Sequence, residues 1–368
     1  MAASANPKYL RQLDGLRALS VAAVAWSHWR LCWTLEPSNF PGAEIGVETF
    51  FVISGLLITG ILLDNRSEFS RQAILKQFYI RRFLRIFPVF YATIFVGLLF
   101  GVTGLKESWS WHVAYISNAY FYQHGWVGSL SHFWSLAVEE QFYFFWPLLM
   151  LFLPANRLKP VIFAVILAAP FYVMAMNASI RGNPTASVLM PSCMSALGMG
   201  ALLAWSKRNG VALRSLRQWL LCLGLFGVVV WRGCGCPATF NPLNRLAEDC
   251  VLGWLVFSAA EGFGGLVGAI LAWSPLNYLG KISYGLYIFH NFAAPASQGL
   301  MNWLNNPPWL VRIYDIPSCR VLMFAVGTVG LATLSWFCFE NPINDLKRKF
   351  PYPATEELDK LPDSTACK

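Results

Sequence analysis

Long apolar runs, separated by short polar connections, make up most of the chain. A helix needs about 20 consecutive apolar residues to cross a bilayer, and windows of that length mark the candidate spans. They lie at residues 14–34, 46–64, 83–104, 131–153, 158–177, 187–206, 216–232, 246–272, 280–304 and 319–340. The glycine-rich run 261–265 interrupts the eighth window, which we expect to be split or broken. The pattern predicts an all-α integral membrane protein, a bundle of about ten transmembrane helices.

Two further segments are expected to lie beside the bundle without crossing it. Residues 105–130 are rich in aromatic side chains and too polar to span, which indicates an outer-side interfacial or re-entrant stretch. Residues 65–82 are basic and amphipathic, a pattern typical of a segment that lies along the inner membrane surface.

Composition and charge fit this organisation. Hydrophobic residues make up 56% of the chain and charged residues 13%, whereas soluble proteins have about 25% charged residues. The formal net charge of +9 comes from Lys and Arg in short loops, which argues against one basic patch for nucleic acid. The first apolar run has full helix length and carries charges, so we expect it to be retained in the mature protein.

The distribution of basic residues predicts the topology. Most of the 28 Lys and Arg residues fall in alternate connections, and such residues accumulate on the cytoplasmic side. We therefore expect cytoplasmic N- and C-termini, with a cytoplasmic segment at 1–12, a membrane domain at 13–345 and a cytoplasmic tail at 346–368. The expected location is the inner or plasma membrane, with several passes.

Ionisable residues within the first predicted helix are the first candidates for chemistry, because charges at bilayer depth are costly and usually functional. Arg17 follows Asp14 by three residues and lies on one helix face with His28. Arg17 and His28 are separated by about 16 Å along the axis, so they cannot pair and must act at different depths.

The fourth predicted helix runs in the opposite direction and carries Glu139. Glu139 lies about 12 Å below the entrance of that helix, which brings it to a depth similar to that of His28. A carboxylate beside a histidine orients the ring for general-base catalysis. The alternative interpretation is a satisfied core histidine and a packing ion pair.

A basic cluster marks the start of the third predicted helix. Arg82 and Arg85 are one turn apart and can meet a phosphate together. Anchoring at lipid headgroups explains the same spacing equally well.

The segments that carry these residues together resemble the membrane-bound acyltransferase-3 family. The opening block is Leu13–Arg17 followed by His28, an arginine and a histidine separated by ten residues. The other blocks lie in the family's order at 46–58, 81–88, 133–143, 279–290 and 339–342. Glu48 stands where many members carry Asp, and the chain ends soon after the last predicted helix, without the extracytoplasmic hydrolase-like domain of longer members.

The resemblance implies an O-acyltransferase, most simply an O-acetyltransferase. An acyl-CoA donor, acetyl-CoA by preference, would approach from the cytoplasm, and the acceptor would be a hydroxyl of a carbohydrate, glycolipid or glycoconjugate. Arg82 and Arg85, together with Arg81, would hold CoA phosphates, and the pantetheine arm would pass Arg17 toward His28. Neither a permanently bound cofactor nor a metal is expected.

In the simplest scheme His28 takes the acceptor's proton while Glu139 orients it, with Asp14 and Arg17 counted in the catalytic set. The candidate oxyanion or substrate contacts are Glu48, Ser54, Ser135, Tyr143 and His290. A route through an acyl-enzyme on Ser54 or His28 stays open. The rival function is a transporter, or a flippase of a lipid-linked sugar or small solute, whose buried charges would line a solute path.

Overall fold

The computed structural model describes residues 11–34, 41–66, 70–179, 184–234 and 241–352. Most of the predicted cytoplasmic segments, 1–12 and 346–368, lies outside these ranges. Within them the chain forms α-helices joined by short turns, and no strand. The helices are α1 (Arg11–Thr34), α2 (Gly42–Asn65), α3 (Arg71–Leu99), α4 (Leu105–Val113), α5 (Ser117–His124), α6 (Phe133–Phe152), α7 (Ala155–Ser179), α8 (Met194–Arg208), α9 (Leu213–Cys234), α10 (Asn241–Glu261), α11 (Gly265–Leu271), α12 (Ser274–Lys281), α13 (Ser283–Phe289), α14 (Ala293–Trp303), α15 (Pro308–Tyr314), α16 (Pro317–Ser335) and α17 (Asn341–Asp345).

Membrane-spanning helices are recognised by length and apolar composition. Among the described residues five helical stretches qualify, within α2, α3, α7, α9 and the run that begins with α16. A sixth is obtained when α10 and α11 count as one span, bent by 83°. The predicted interruption of the eighth window is therefore confirmed, since α10 ends at Glu261 and α11 begins at Gly265. The chain is a multi-pass, all-α membrane protein.

Helix α2 lies at the centre of the bundle. In its most apolar window 67% of the residues are buried, against 11% for α9. Helices α2 and α8 approach closely because Gly55 meets the backbone of Leu197 and Gly200 meets the backbone of Val52. Small residues permit such backbone contact between membrane helices. This contact fixes the helix that presents Ser54 to the cavity described below.

The basic segment predicted at 65–82 does not form a separate surface element. Its residues from Arg71 onward are the first turns of α3, which continues without a break to Leu99. The Ser70 hydroxyl accepts a hydrogen bond from the Ala73 amide and caps the helix. The arginines at 81, 82 and 85 consequently lie within a helix, on faces fixed by the turns on both sides of them.

Helices α4 and α5 form a hairpin that packs back along α3. Its tip is Tyr115, which has a positive φ of 52°. The Tyr115 ring stacks on Phe87 and Phe90 of α3, with centroid distances of 5.1 and 4.3 Å. The Gln141 amide of α6 donates to the Tyr115 carbonyl at 2.9 Å. The hairpin tip thereby joins the walls formed by α3 and α6.

The continuous ninth helix predicted at 280–304 is wrong. The structure has α12, α13 and α14 in its place, with a 3₁₀ turn at His290–Phe292 between α13 and α14. His290 therefore lies at a helix break, where its side chain meets elements that a straight helix would not bring together.

Candidate active site

Two histidines from distant parts of the chain form a pair at the core of the bundle. His28 comes from α1 and His290 from the break after α13, and the Nδ1 atom of His28 lies 2.8 Å from the Nε2 atom of His290. The rings stack with their centroids 5.0 Å apart. The Trp29 indole N–H donates to the His290 carbonyl at 2.8 Å, which holds α1 against the break.

The hydrogen bonds of the pair determine which nitrogens carry protons. His290 Nδ1 lies 2.7 Å from the Tyr287 carbonyl oxygen, which only accepts, so this nitrogen carries the hydrogen. In a neutral ring His290 Nε2 is then an acceptor, and His28 Nδ1 must donate to it. The basic nitrogen of a neutral His28 is consequently Nε2, the position a general base uses.

A third histidine, His132, precedes α6 and contacts the pair. Its ring centroid lies 4.7 Å from that of His290, and its Nε2 atom lies 3.1 Å from the Ile288 carbonyl. Only 2% of His132 is exposed. His132 therefore ties α6 to the segment that carries His290. The sequence assigned it no role, although it directly precedes the fourth motif block.

The predicted pairing of Glu139 with His28 is wrong. The Ser54 hydroxyl donates to the Glu139 carboxylate at 2.8 Å and lies 2.9 Å from the Tyr143 hydroxyl. Because the Ser54 hydrogen is directed to Glu139, Tyr143 is the donor in its contact with Ser54. Helical rise predicts depth but not the facing neighbour, and the helix that faces Glu139 is α2, not α1.

The Ser54–Glu139–Tyr143 network lines a partly open cavity of about 90 Å³. Residues of α1, α2, α3, α6 and the α12–α13 region contribute to its wall. Its polar lining consists of Arg17, Ser54, Arg82, Arg85, Ser135, Glu139, Glu140, Tyr143, Ser283, Tyr284 and Tyr287. Nearly all predicted site residues of the membrane domain thus reach one cavity or its immediate neighbourhood.

Tyr287 connects this cavity to the histidine pair. Its hydroxyl lies 2.6 Å from the Ser135 hydroxyl in the cavity wall, and its carbonyl accepts the hydrogen bond from His290. His28 is not among the described residues that line the cavity. The pair therefore lies directly behind the layer formed by Ser135 and Tyr287.

A second cavity opens at the other end of the first. The residues that line it are Asp14, Arg17, Arg85, Gly280, Lys281, Tyr284, Trp336, Glu340, Asn344 and Lys347. Arg17, Arg85 and Tyr284 belong to both cavities. Arg17 also forms an ion pair of 2.9 Å with Asp14, which explains the three-residue spacing of these two residues. Lys281 and Lys347, which the sequence did not single out for binding, make this cavity strongly basic.

Two arginines of the basic cluster have different surroundings. Arg82 lies over the rings of Tyr143 and Phe78, at 5.2 and 5.6 Å, and lines the first cavity. Arg81 donates to the backbone carbonyls of Lys347 and Phe350, each at 2.9 Å. Arg81 therefore anchors the end of the last helical segment, and in the described part of the chain it lines neither of these two cavities.

Glu48 does not line either cavity in the described part of the chain. Only 4% of it is exposed, and its carboxylate forms an ion pair with Arg245 of α10. Its predicted contact with substrate is therefore wrong, because Glu48 faces α10 and not the cavity. The negative charge of Glu48 serves a buried contact between α2 and α10.

His112 has no part in either cavity. It lies in α4, packs edge-on against Phe121 and Phe133, and is 1% exposed. Burial lowers the pKa of His112 to about 4, so its ring is neutral near pH 7.

The helical membrane bundle thus encloses a polar cavity with basic residues at one end and, behind the Ser135–Tyr287 layer at the other, a histidine pair. The chain belongs to the acyltransferase family that the acyltransferase-domain model describes, which matches residues 10–340. It is 29% identical over 374 residues to the peptidoglycan O-acetyltransferase OatA of Listeria monocytogenes, an alignment that covers 91% of this chain and 56% of that protein.

A second relative is the O-acetyltransferase OatA of Staphylococcus aureus, 29% identical over 318 residues, which are 77% of this chain and 50% of that protein. The chain thus spans about half the length of the curated relatives it matches. No solved structure matches it.

Proposed function

We propose that this protein is a membrane-bound O-acyltransferase that moves an acyl group, acetyl by preference, from cytoplasmic acyl-CoA to a hydroxyl of a carbohydrate or glycoconjugate. The observation that carries the proposal is the pair of joined cavities. Arg17 and Arg85 line both cavities, and the first cavity ends at Tyr287, whose carbonyl accepts the hydrogen bond from His290 of the histidine pair. The relatives described as O-acetyltransferases support acetyl as the group transferred.

The basic cavity is the proposed donor site. Guanidinium and ammonium groups bind phosphate through charge-assisted hydrogen bonds, and CoA carries several phosphates. Arg85, Lys281 and Lys347 supply such groups at its wall. The pantetheine arm then passes Arg17 into the first cavity, and the thioester comes to lie near Ser135 and Tyr287.

The proposed reaction is a direct transfer with His28 as the general base. His28 does not line the cavity, so the acceptor hydroxyl must pass between Ser135 and Tyr287 to reach it. His28 Nε2 then removes the proton of this hydroxyl while the hydroxyl oxygen forms a bond to the thioester carbon. The carbon–sulfur bond then breaks, and the CoA thiolate takes the proton from the His28 imidazolium. His290 acts through His28 and is a positioning residue, since its hydrogen bond selects the reactive tautomer.

Position in the cavity is the basis for choosing the oxyanion donor, because all three candidate hydroxyls have partners. Ser54 and Tyr143 bond within their network with Glu139, and Ser135 contacts Tyr287 and the His132 carbonyl at 2.6 and 3.2 Å. Since Ser135 lies at the end of the cavity nearest His290, we assign to it the role of stabilising the tetrahedral intermediate. We assign to Glu139 that of holding Ser54 and Tyr143 in the cavity wall.

The same proposal includes the topology. About ten crossings, with both termini in the cytoplasm, place the basic cavity at the cytoplasmic surface of the inner or plasma membrane, where acyl-CoA is available. Helices α1 and α6 would be crossings although their charged residues lower their apolar character, because those residues face the cavity and not lipid.

The test uses the full chain in liposomes with radiolabelled acetyl-CoA and an extract of cell-envelope glycans as acceptor. Acceptor-dependent release of CoA, together with label in the glycan fraction, is expected for the wild type and should be lost in His28→Ala. The scheme is falsified if His28→Ala transfers acetyl at a near-normal rate. Label that accumulates on the protein without acceptor indicates an acyl-enzyme, and solute uptake without CoA release indicates a transporter.

A further inference from the structure

A third concave surface lies on the outside of the bundle, between α3, the tip of the α4–α5 hairpin and α6. We call it the lateral groove. Its lining consists of Tyr79, Ile80, Arg82, Phe83, Leu84, Phe87, Ala114, Tyr115, Ile116, Glu140, Gln141, Tyr143, Phe144, Phe145 and Phe350. Phe83, Phe144 and Phe145 are 53%, 57% and 57% exposed. Exposed aromatic side chains on a membrane helix face hydrocarbon, so the lateral groove opens toward lipid.

The lateral groove and the first cavity lie on two sides of one wall. Arg82, Glu140 and Tyr143 line both, and among the described residues these three side chains form that wall. A second apolar groove, lined by α3, α14 and α16 residues such as Phe100, Ala296 and Phe339, shares none of its described lining with that cavity. Contact with lipid does not by itself require a wall shared with the first cavity, because the second groove also faces outward and has no such wall.

Polar groups in the lateral groove lack hydrogen-bond partners. The Tyr115 hydroxyl and Glu140 Oε1 are buried and unpartnered in the part of the chain that the structure describes. Only 7% of Tyr115 is exposed, and its backbone has a positive φ, which is unfavourable for a side chain of this size. A ligand with hydroxyl groups would supply the missing hydrogen bonds at this position.

Resting on the function proposed above, we propose that the lateral groove admits a carbohydrate acceptor linked through phosphate to a long hydrocarbon chain. The chain lies along the aromatic wall and stays within the bilayer. The phosphate meets Arg82, whose guanidinium complements its charge. The carbohydrate passes between Arg82, Glu140 and Tyr143 into the cavity, where the Glu140 carboxylate accepts a hydrogen bond from one of its hydroxyls.

The experiment measures occupancy of the lateral groove without any acyl donor. The full chain in nanodiscs is exposed to a long-chain isoprenyl phosphate that carries a photoreactive diazirine, and the labelled peptides are identified by mass spectrometry. The matched probe is the isoprenyl alcohol with the same diazirine. The matched variants are Ala114→Trp, which fills the lateral groove, and Ala296→Trp, which makes the same change in the second groove.

The phosphate probe is expected to label peptides of α3 and α6 that line the lateral groove. Labelling should fall about tenfold in Arg82→Gln, the loss expected for one charge-assisted hydrogen bond. Ala114→Trp should lower it similarly, and Ala296→Trp should not. Equal labelling by the alcohol, or equal labelling of both grooves, would show ordinary lipid contact and overturn the proposal.

The outcome is independent of the proposed chemistry. If labelling follows this pattern but the wild type releases no CoA from acetyl-CoA, the acyltransferase proposal fails and the lipid-binding groove stands. If acetyl transfer is intact and Ala114→Trp leaves both labelling and transfer unchanged, the lateral groove is not the acceptor's route.

Discussion

The Nδ1 atom of His28 lies 2.8 Å from the Nε2 atom of His290, and the next hydrogen bond, from His290 Nδ1 to the Tyr287 carbonyl, fixes the direction of both. A backbone carbonyl accepts only, so the neutral pair has a single consistent arrangement of hydrogens. The Tyr287 carbonyl, acting through His290, therefore determines which nitrogen of His28 is basic.

Removing the second ring of this pair should impair catalysis without affecting donor binding. His290→Ala is expected to lower kcat about 10- to 100-fold, the range seen when a supporting hydrogen bond to a reactive histidine is lost. The KM for acetyl-CoA should stay unchanged, because the donor cavity lies at the other end of the site. Steady-state transfer assays give both values.

A merely structural role of His290 would leave the pH dependence of kcat unchanged. If His290 positions His28, that pH dependence should shift in His290→Ala. His124→Ala is the control, since His124 lies in α5 against Tyr120 and away from the cavities. A His290→Ala enzyme with an unchanged kcat and pH profile would contradict the tautomer argument.

The Glu139 carboxylate should act through its contact with Ser54. Glu139→Gln keeps an oxygen that accepts from the Ser54 hydroxyl, so it should retain about tenfold more activity than Glu139→Ala, the value of one hydrogen bond. Transfer rates of Glu139→Ala, Ser54→Ala and the double variant form a thermodynamic cycle. Strong non-additivity is expected for residues in one network. Strictly additive losses would mean that Glu139 acts elsewhere.

Two arginines of α3 should have different roles, Arg85 in donor binding and Arg81 in stability. Arg85→Gln is expected to raise the KM for acetyl-CoA about tenfold or more, because a guanidinium that lines both cavities is lost. Arg81→Gln should leave that KM unchanged and lower the thermal midpoint of unfolding, since Arg81 bonds to the carbonyls of Lys347 and Phe350. A raised KM in Arg81→Gln with an unchanged KM in Arg85→Gln would show that Arg81, and not Arg85, binds the donor phosphates.

The buried ion pair of Glu48 and Arg245 should contribute to folding and not to turnover. Glu48→Ala leaves the Arg245 guanidinium without its partner inside the bundle, and breaking a buried pair costs about 3–5 kcal/mol. Yield and thermal midpoint in detergent should fall sharply, and the double variant Glu48→Ala with Arg245→Met should recover part of both. If Glu48→Ala is stable but inactive, Glu48 contacts substrate after all.

The sequence predicts depth along a membrane helix better than it predicts neighbours. Helical rise correctly separated Arg17 from His28, and the glycines near Gly262 correctly predicted the bend between α10 and α11. The same arithmetic brought Glu139 to the level of His28 but could not show that Ser54 of α2 lies in front of it. Which side chains face one another depends on the order of the helices around the bundle. Residue spacing along a single helix carries no information about that order.

Other features depend on contacts between residues far apart in the chain. The break at His290–Phe292 has a local signal, because Pro295 cannot donate to the carbonyl of Asn291 four residues back. The pairing of His290 with His28, 262 positions away, has none. Lys281 and Lys347 carry the same charge as ordinary inner-side anchors. They reach one basic cavity because α12 packs against α1 and the last helical segment packs against α3. In contrast, nearly all residues that line the first cavity lie within the motif blocks, so the resemblance to the family was enough to predict them.

The close contact between α2 and α8 makes a last prediction about stability. A methyl group added at Gly55 would meet the backbone of Leu197, which cannot move aside as a side chain does. Gly55→Ala should therefore lower the free energy of unfolding by about 1–3 kcal/mol, the usual cost of overpacking. Because α2 carries Ser54, specific activity should fall as well.

Gly60→Ala is the matched control for this prediction. It makes the same change one and a half turns further along α2, where nothing lies within 4 Å of the added methyl group. It should preserve activity and leave stability equal or slightly higher, since alanine favours the helix over glycine by about 1 kcal/mol. Equal thermal midpoints for the two variants would show that the α2–α8 backbone contact does not constrain the bundle. A loss confined to Gly55→Ala would show that this contact positions the Ser54 side of the cavity.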